Sequence, residues 1–248
     1  MTIYAANWKM HLSPGPARDL VRAVLSRLKP GDGRTLLFFP PAVSLAAVVA
    51  EVQGRKDAAA GIQHIHHEPK GAFTGEISAP IAAESGATWA LVGHSERRHK
   101  FGESDEATGR QVQAALEARL NPMLCVGEKL EERQAGRTEQ VVLRQLQAGL
   151  AGLDAAAIAR VVIAYEPVWA IGTGQNATPQ DAAAVHRTIR SWLTDRMPAG
   201  THSRILYGGS VNARNAAELL AQPELDGVLV GGASLDADGW VSICESRC

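Results

Sequence analysis

The chain has 248 residues, is 46% hydrophobic, and carries 25 Lys and Arg against 26 Asp and Glu, a net charge of −1. That length supports a large core, and the charge balance gives no argument for nucleic acid or a membrane surface, so any pull on an anionic ligand is local. No apolar run approaches a membrane span, the first ten residues lack the pattern of a secretion signal, and the three cysteines (Cys125, Cys244, Cys248) form no C-x-x-C pair, which points to a reduced cytoplasmic protein.

In chain order, a strand over residues 4–8 runs into Asn7-Trp8-Lys9, and an amphipathic helix follows over residues 16–28. Strands over residues 35–39, 58–63 and 88–92 come next, the last leading to His94. A helix over residues 106–118, a strand over 122–126 and a helix over 138–150 lead to the β-branched run Val161-Val162-Ile163, a strand over 161–165 that delivers Glu166 at its end. Pro167 has no N–H for a sheet ladder, so that strand stops there. A helix over residues 179–197, a strand over 204–207 before Gly208-Gly209-Ser210, and a strand over 227–230 before Gly231-Gly232 complete the pattern. Eight strands alternating with helices, with no linker or shift in composition, predict a single-domain α/β fold over residues 1–248, a closed (β/α)8 barrel. An open dinucleotide-binding sheet would carry G-x-G-x-x-G after its first strand, where this chain has Asn7-Trp8-Lys9-Met10-His11.

Chemistry in such a barrel collects at the carboxyl ends of the strands. Those ends carry Asn7 and Lys9, then His94, Glu166, Ser210, Gly231 and Gly232. A single Lys or His at a strand end is usually structural; the coincidence of all of them marks one site. After Glu166, the segment Pro167, Val168, Trp169, Ala170, Ile171, Gly172, Thr173 and Gly174 has a Trp in its middle and glycines at its far end, the pattern of a base followed by a movable lid.

Six segments stand together: Asn7-Trp8-Lys9 and residues 71–76 (Gly-Ala-Phe-Thr-Gly-Glu), 92–98 (Val-Gly-His-Ser-Glu-Arg-Arg), 165–169 (Tyr-Glu-Pro-Val-Trp), 207–211 (Tyr-Gly-Gly-Ser-Val) and 231–235 (Gly-Gly-Ala-Ser-Leu). In these motifs, their order and their spacing the chain resembles the triosephosphate isomerase family. The resemblance implies interconversion of dihydroxyacetone phosphate and glyceraldehyde 3-phosphate, with no metal and no organic cofactor. It further implies Glu166 as the base between C1 and C2, His94 as a neutral electrophile, and Lys9, positioned by Asn7, as the cation facing the oxyanion and phosphate. Ser95 and Glu96 would lie just behind His94, in a helix start whose dipole disfavours imidazolium by about 1 kcal/mol. Main-chain N–H groups at Ser210, Gly231, Gly232 and, from the lid, Gly172 would bind the phosphate. The loop over residues 70–78 would cross a two-fold interface, with Thr74 near the partner's site and Glu76 and Arg97 pairing between subunits, so a homodimer is implied.

His11 and His64 stand where the family usually carries Asn, which leaves the detail of that interface open but not the chemistry. His64, His66 and His67 match no standard metal spacing. Cys125 reads as a buried structural thiol. Two rivals stand beside the main reading: a Schiff-base aldolase on the same barrel using Lys9, and a barrel that serves only as a binding scaffold.

Overall fold

A computed structural model describes residues 1–31, 33–171 and 177–247. Eight parallel strands pair in chain order and close on themselves: β1 (Thr2–Asn7), β2 (Arg34–Phe39), β3 (Ala58–Ile62), β4 (Trp89–Val92), β5 (Asn121–Val126), β6 (Val162–Tyr165), β7 (Ile205–Tyr207) and β8 (Gly227–Val230). Around them run α1 (Pro14–Arg27), α2 (Leu45–Val52), α3 (Ala79–Glu84), α4 (Ser95–Lys100), α5 (Asp105–Glu117), α6 (Leu130–Gln134), α7 (Thr138–Gly149), α8 (Ala155–Ile158), α9 (Pro179–Thr194), α10 (Ala216–Leu220) and α11 (Ala237–Glu245). The (β/α)8 barrel predicted from the alternation is present, and each strand lies within two residues of its predicted bounds. The short α6 and α8 were not predicted, since four or five residues are too few for a helical period to show.

Strand side chains alternate between two apolar layers, because successive residues point to opposite faces. Ile3 and Ala5 of β1 and Leu37 and Phe39 of β2 fill the barrel interior with Leu91, Met123, Cys125, Ala164 and Leu229. Tyr4, Ala6, Leu36 and Phe38 face outward and pack with Val21, Val24 and Val48 of the helices. Both strand faces are therefore buried, and the barrel is a packed core rather than a pore.

The helices start where the sequence supplies caps. Ser104 accepts from the Ala107 N–H ahead of the acidic first turn of α5. Thr178 and Asp181 form a reciprocal capping box, with Pro179 opening α9. Closure depends on residues with no side chain. Gly227 opens β8 beside β1, in register with Ile3, and a Cβ there would lie far inside van der Waals contact with the Ile3 carbonyl oxygen. Backbone in a sheet cannot move aside as a side-chain tip can. Gly227→Ala should therefore destabilise the barrel by about 3 kcal/mol or more, the upper end for overpacking. Urea unfolding checks this, and a midpoint equal to the parent's would show that the β1–β8 seam yields.

Candidate active site

At the carboxyl ends of the strands lies a cavity of about 340 Å³. Asn7 at the end of β1 and Lys9 after it, His94 after β4, Glu166 after β6, Gly208 to Ser210 after β7, and Gly231 and Gly232 after β8 line it together. The barrel thus brings together in one site the strand-end residues that the sequence singled out.

Glu166 is the centre. It is 2% exposed, and both carboxylate oxygens have partners. Oε1 lies 3.0 Å from His94 Nε2, and Oε2 accepts from the Ser95 N–H at 2.8 Å. Burial pushes this carboxyl up, but His94 and the Ser95 donors outweigh it and hold it below the usual carboxylate range. In this position Glu166 is an ionised and weakened base.

His94 caps α4 itself. Its Nδ1 accepts from the Glu96 N–H at 3.2 Å. That bond occupies the Nδ1 lone pair, so a neutral ring carries its proton on Nε2, the nitrogen that faces Glu166 and the cavity. The helix start expected at Ser95 is present, and it sets the tautomer through this one N–H.

Lys9 has a backbone φ of 50°, a left-handed conformation that costs a residue with a Cβ about 1–2 kcal/mol. Two side chains hold it there. Asn7 Oδ1 accepts from the Lys9 N–H at 3.0 Å, and the Gln63 amide donates to the Lys9 carbonyl at 2.9 Å and to the Phe39 carbonyl at 2.8 Å. The Lys9 ammonium donates to Glu96 Oε1 at 3.0 Å, so Glu96 is a partner within the site rather than a free acid of a helix start.

The backbone at Gly208 leaves room that a Cβ would take from Glu166. A Cβ at Gly208 would press on Glu166 Cγ at 2.8 Å, and one at Gly231 would meet Lys9 Cε at 3.4 Å. A single helical turn, Gly232–Ser234, starts at the cavity, and the first N–H groups of such a turn have no acceptor within it. The arrangement suits a small dianion carried beside a carbon acid.

The segment after Glu166 starts as a single helical turn, Val168–Ala170, after Pro167. Its anchor is Glu128, fully buried, which accepts from Trp169 Nε1 at 2.9 Å and from the Tyr165 hydroxyl, while its carbonyl accepts from the Val168 N–H. Ile171 lines the cavity. Gly172, Thr173 and Gly174 lie outside the described residues.

The expected interface residues Thr74, Glu76 and Arg97 do not line the cavity. Thr74 is exposed in its loop. Within the chain Glu76 is held by His64 at 2.7 Å, and Arg97 pairs with Glu103 at 2.9 Å. His64 Nδ1 also lies 3.1 Å from Glu103, so this ring joins the loop to the barrel. Burial pushes the Glu103 carboxyl up, but hydrogen bonds from His64 and Arg97 bring it down to about 2. Sequence reasoning passed over Gln63, Glu128 and Glu103. The first two follow β3 and β5, so the strand-end rule that found Lys9 and Glu166 was sufficient to find them.

Fold and site together define a barrel enzyme of acid–base type that faces an anionic small molecule. The chain matches the family model described as triosephosphate isomerase over residues 2–247. It is 49% identical to the triosephosphate isomerase of Roseiflexus castenholzii over 97% of this chain and 95% of the relative. It is 47% identical to that of Symbiobacterium thermophilum over 98% and 96%, and 44% identical to that of Aquifex aeolicus over 98% of each. The chain belongs to the triosephosphate isomerase family.

The Glu103 network has a pH signature. With a folded value of about 2 against an ordinary 4.5, Glu103 contributes stability that is present above pH 4.5 and lost as pH falls towards 2. Melting curves across that range should fall more steeply for the parent than for Glu103→Gln. Parallel curves would show that the carboxylate is not held by His64 and Arg97.

Proposed function

We propose that the cavity interconverts dihydroxyacetone phosphate and D-glyceraldehyde 3-phosphate, with Glu166 as the base and His94 as the electrophile. Glu166 takes a proton from C1 of the ketone. The C–H electron pair forms the C1–C2 double bond, and the carbonyl oxygen becomes the enediolate oxyanion. His94 Nε2–H and the Lys9 ammonium meet that oxygen; the O1 hydroxyl proton passes to it through His94, C1–O1 becomes the aldehyde carbonyl, and the C1–C2 π pair takes the proton held on Glu166 at C2. The phosphate lies on the Ser210, Gly231 and Gly232 turns, with Gly172 as a further donor. No metal or organic cofactor enters the scheme.

The observation that carries this reading is the buried Glu166–His94 pair beside the glycine turns. Both groups are committed to each other in this arrangement. A substrate carbonyl that takes the His94 Nε2–H releases one oxygen of Glu166, and movement of that carboxylate off the Ser95 N–H releases the other. What remains is a desolvated carboxylate without donors, a stronger base than the one at rest. The segment from Pro167 through Gly174 would act as the lid, with Trp169 released from Glu128 as it moves. The ion pair of Lys9 with Glu96 suits a cation facing an oxyanion, and it gives the Schiff-base rival no support.

We read residues 1–248 as one catalytic domain in a cytoplasmic homodimer. Cys125 and Cys244 are buried, and Cys248 lies outside the described residues. Among the described residues no helix is long and apolar enough to cross a membrane. A second cleft, of about 460 Å³, adjoins Lys9, His94, His64 and Arg97. The large apolar side chains Met10 (93% exposed), Phe101 (67%) and Phe73 (43%) belong to its lining or to the loop nearby. Exposed apolar surface of this kind marks a protein interface. Thr74 of a second copy would reach the Lys9 region from there.

Glu166→Asp keeps the charge but withdraws it by about 1 Å. A misplacement on that scale costs on the order of 100-fold in kcat, while KM changes little because binding rests on the phosphate turns. A coupled isomerisation assay tests this, and near-native kcat would remove Glu166 from the role of base. Replacing residues 70–78 by a tight turn should give a monomer with an intact barrel and poor activity. Light scattering that finds a dimer, or a fully active monomer, would exclude the proposed part of this loop.

A further inference from the structure

Behind His94 lies a cation that the scheme above does not use. Arg98 on α4 has a side chain only 6% exposed, and a guanidinium taken from water needs partners for its donors. It has three. Nε donates to the Gly93 carbonyl at 2.7 Å, Nη1 to Asp105 at 2.6 Å, and Nη2 to the Cys125 carbonyl at 3.2 Å. The main-chain N–H of Arg98 donates to the His94 carbonyl at 3.1 Å, beside that of Arg97 at 2.8 Å.

These contacts bracket one residue. The Gly93 carbonyl belongs to the peptide plane that enters His94, and the His94 carbonyl to the plane that leaves it. Arg98 holds the first with its side chain and the second with its backbone. Two fixed planes set the direction of the Cα–Cβ bond between them, and so the base from which the imidazole is aimed, while the Glu96 N–H on Nδ1 sets the rotation of the ring. The plane leaving His94 also carries the Ser95 N–H, the donor that receives Glu166 at 2.8 Å. The third contact ties this turn to β5, where Cys125 is in register with Ala164, two residues before Glu166. Gly93 completes the fit: its φ is 67°, and a Cβ there would lie 2.7 Å from Arg98 Nη2.

We propose that Arg98 is a positioning residue of the reaction, which fixes the direction of His94 Nε2–H and the place of the Ser95 N–H by gripping the carbonyls on both sides of His94. This rests on the reading of His94 and Glu166 given above. A buried cation is a costly filler, and an apolar side chain of similar length would occupy the same volume without desolvation. It would supply no donor to Gly93 or Cys125. Lysine keeps the charge but lacks the planar fork that reaches three acceptors in fixed directions.

The test uses Arg98→Met and Arg98→Lys in the full-length enzyme, with Glu166→Gln beside them, each checked for a melting transition above the assay temperature. Arg98→Met should lose about 10- to 100-fold in kcat, with KM within about threefold, because the phosphate turns lie on β7 and β8. Arg98→Lys should lose about 10-fold, and it serves alone if the Met variant does not fold. In the nitrogen spectrum of histidine-labelled protein, the His94 Nε2–H signal should shift or disappear in the folded variant. A stabilising residue alone would lower the melting temperature and leave that signal and kcat in place. A kcat within twofold of the parent, with the signal unmoved, overturns the role of Arg98. A parent-like rate in Glu166→Gln would instead overturn the reading on which the proposal rests.

Discussion

Taking the Glu166 carboxylate out of water costs several kcal/mol unless the interior supplies donors, and much of this barrel's upper face is arranged to supply them. The donors come from one short turn. His94 offers Nε2–H because the Glu96 N–H has taken its other nitrogen, and Ser95 offers its main-chain N–H because α4 starts there. The carboxylate arrives on β6 only because its neighbours have no side chains. A Cβ at Gly127 would overlap the Glu166 carbonyl oxygen, and one at Gly208 would press on Glu166 Cγ. Three strands and one helix start are thus committed to the comfort of a single ionised group.

That comfort is temporary in the proposed reaction. A carboxylate satisfied by two donors is a poor base, and a base that stays poor does not remove a proton from carbon. The same donors that make the resting site stable therefore have to be given up when substrate arrives. His94 changes partner from Glu166 to the substrate oxygen, and Glu166 keeps its burial while it loses its hydrogen bonds. Lys9 is held differently. Its strained backbone is fixed by Asn7 and Gln63 from both sides, so its charge points at the cavity while Glu96 waits beside it. In the proposed reaction one group moves and the other stays clamped, and the part assigned to each follows from that difference.

Much of this was legible in the sequence because the barrel has a simple grammar. Alternation of apolar runs located all eight strands, and the residue types just past their ends named Asn7, Lys9, His94 and Glu166. What escaped were side chains whose part depends on distance in space. Gln63 reads as an ordinary polar residue after a strand until its amide is seen spanning the Lys9 and Phe39 carbonyls. Glu128 reads as a loop acid until the Tyr165 hydroxyl and the Trp169 indole converge on it. Glu76 and Arg97 read as a pair across subunits, yet within one chain His64 and Glu103 already engage them, a relation set by a histidine where the family usually has asparagine. The centre of the lid, Gly172 to Gly174, lies outside the described residues, so its part rests on the resemblance and the chemistry alone.

The central claim is that a carboxylate of the protein carries the proton between two carbons. Running the isomerisation of dihydroxyacetone phosphate in D2O tests it most directly, with nuclear magnetic resonance locating deuterium in the aldehyde product. A proton held on Glu166 exchanges with solvent, so deuterium at C2 of glyceraldehyde 3-phosphate is the predicted result. Product whose C2 hydrogen comes wholly from C1 of the substrate would indicate direct hydride transfer and contradict the account.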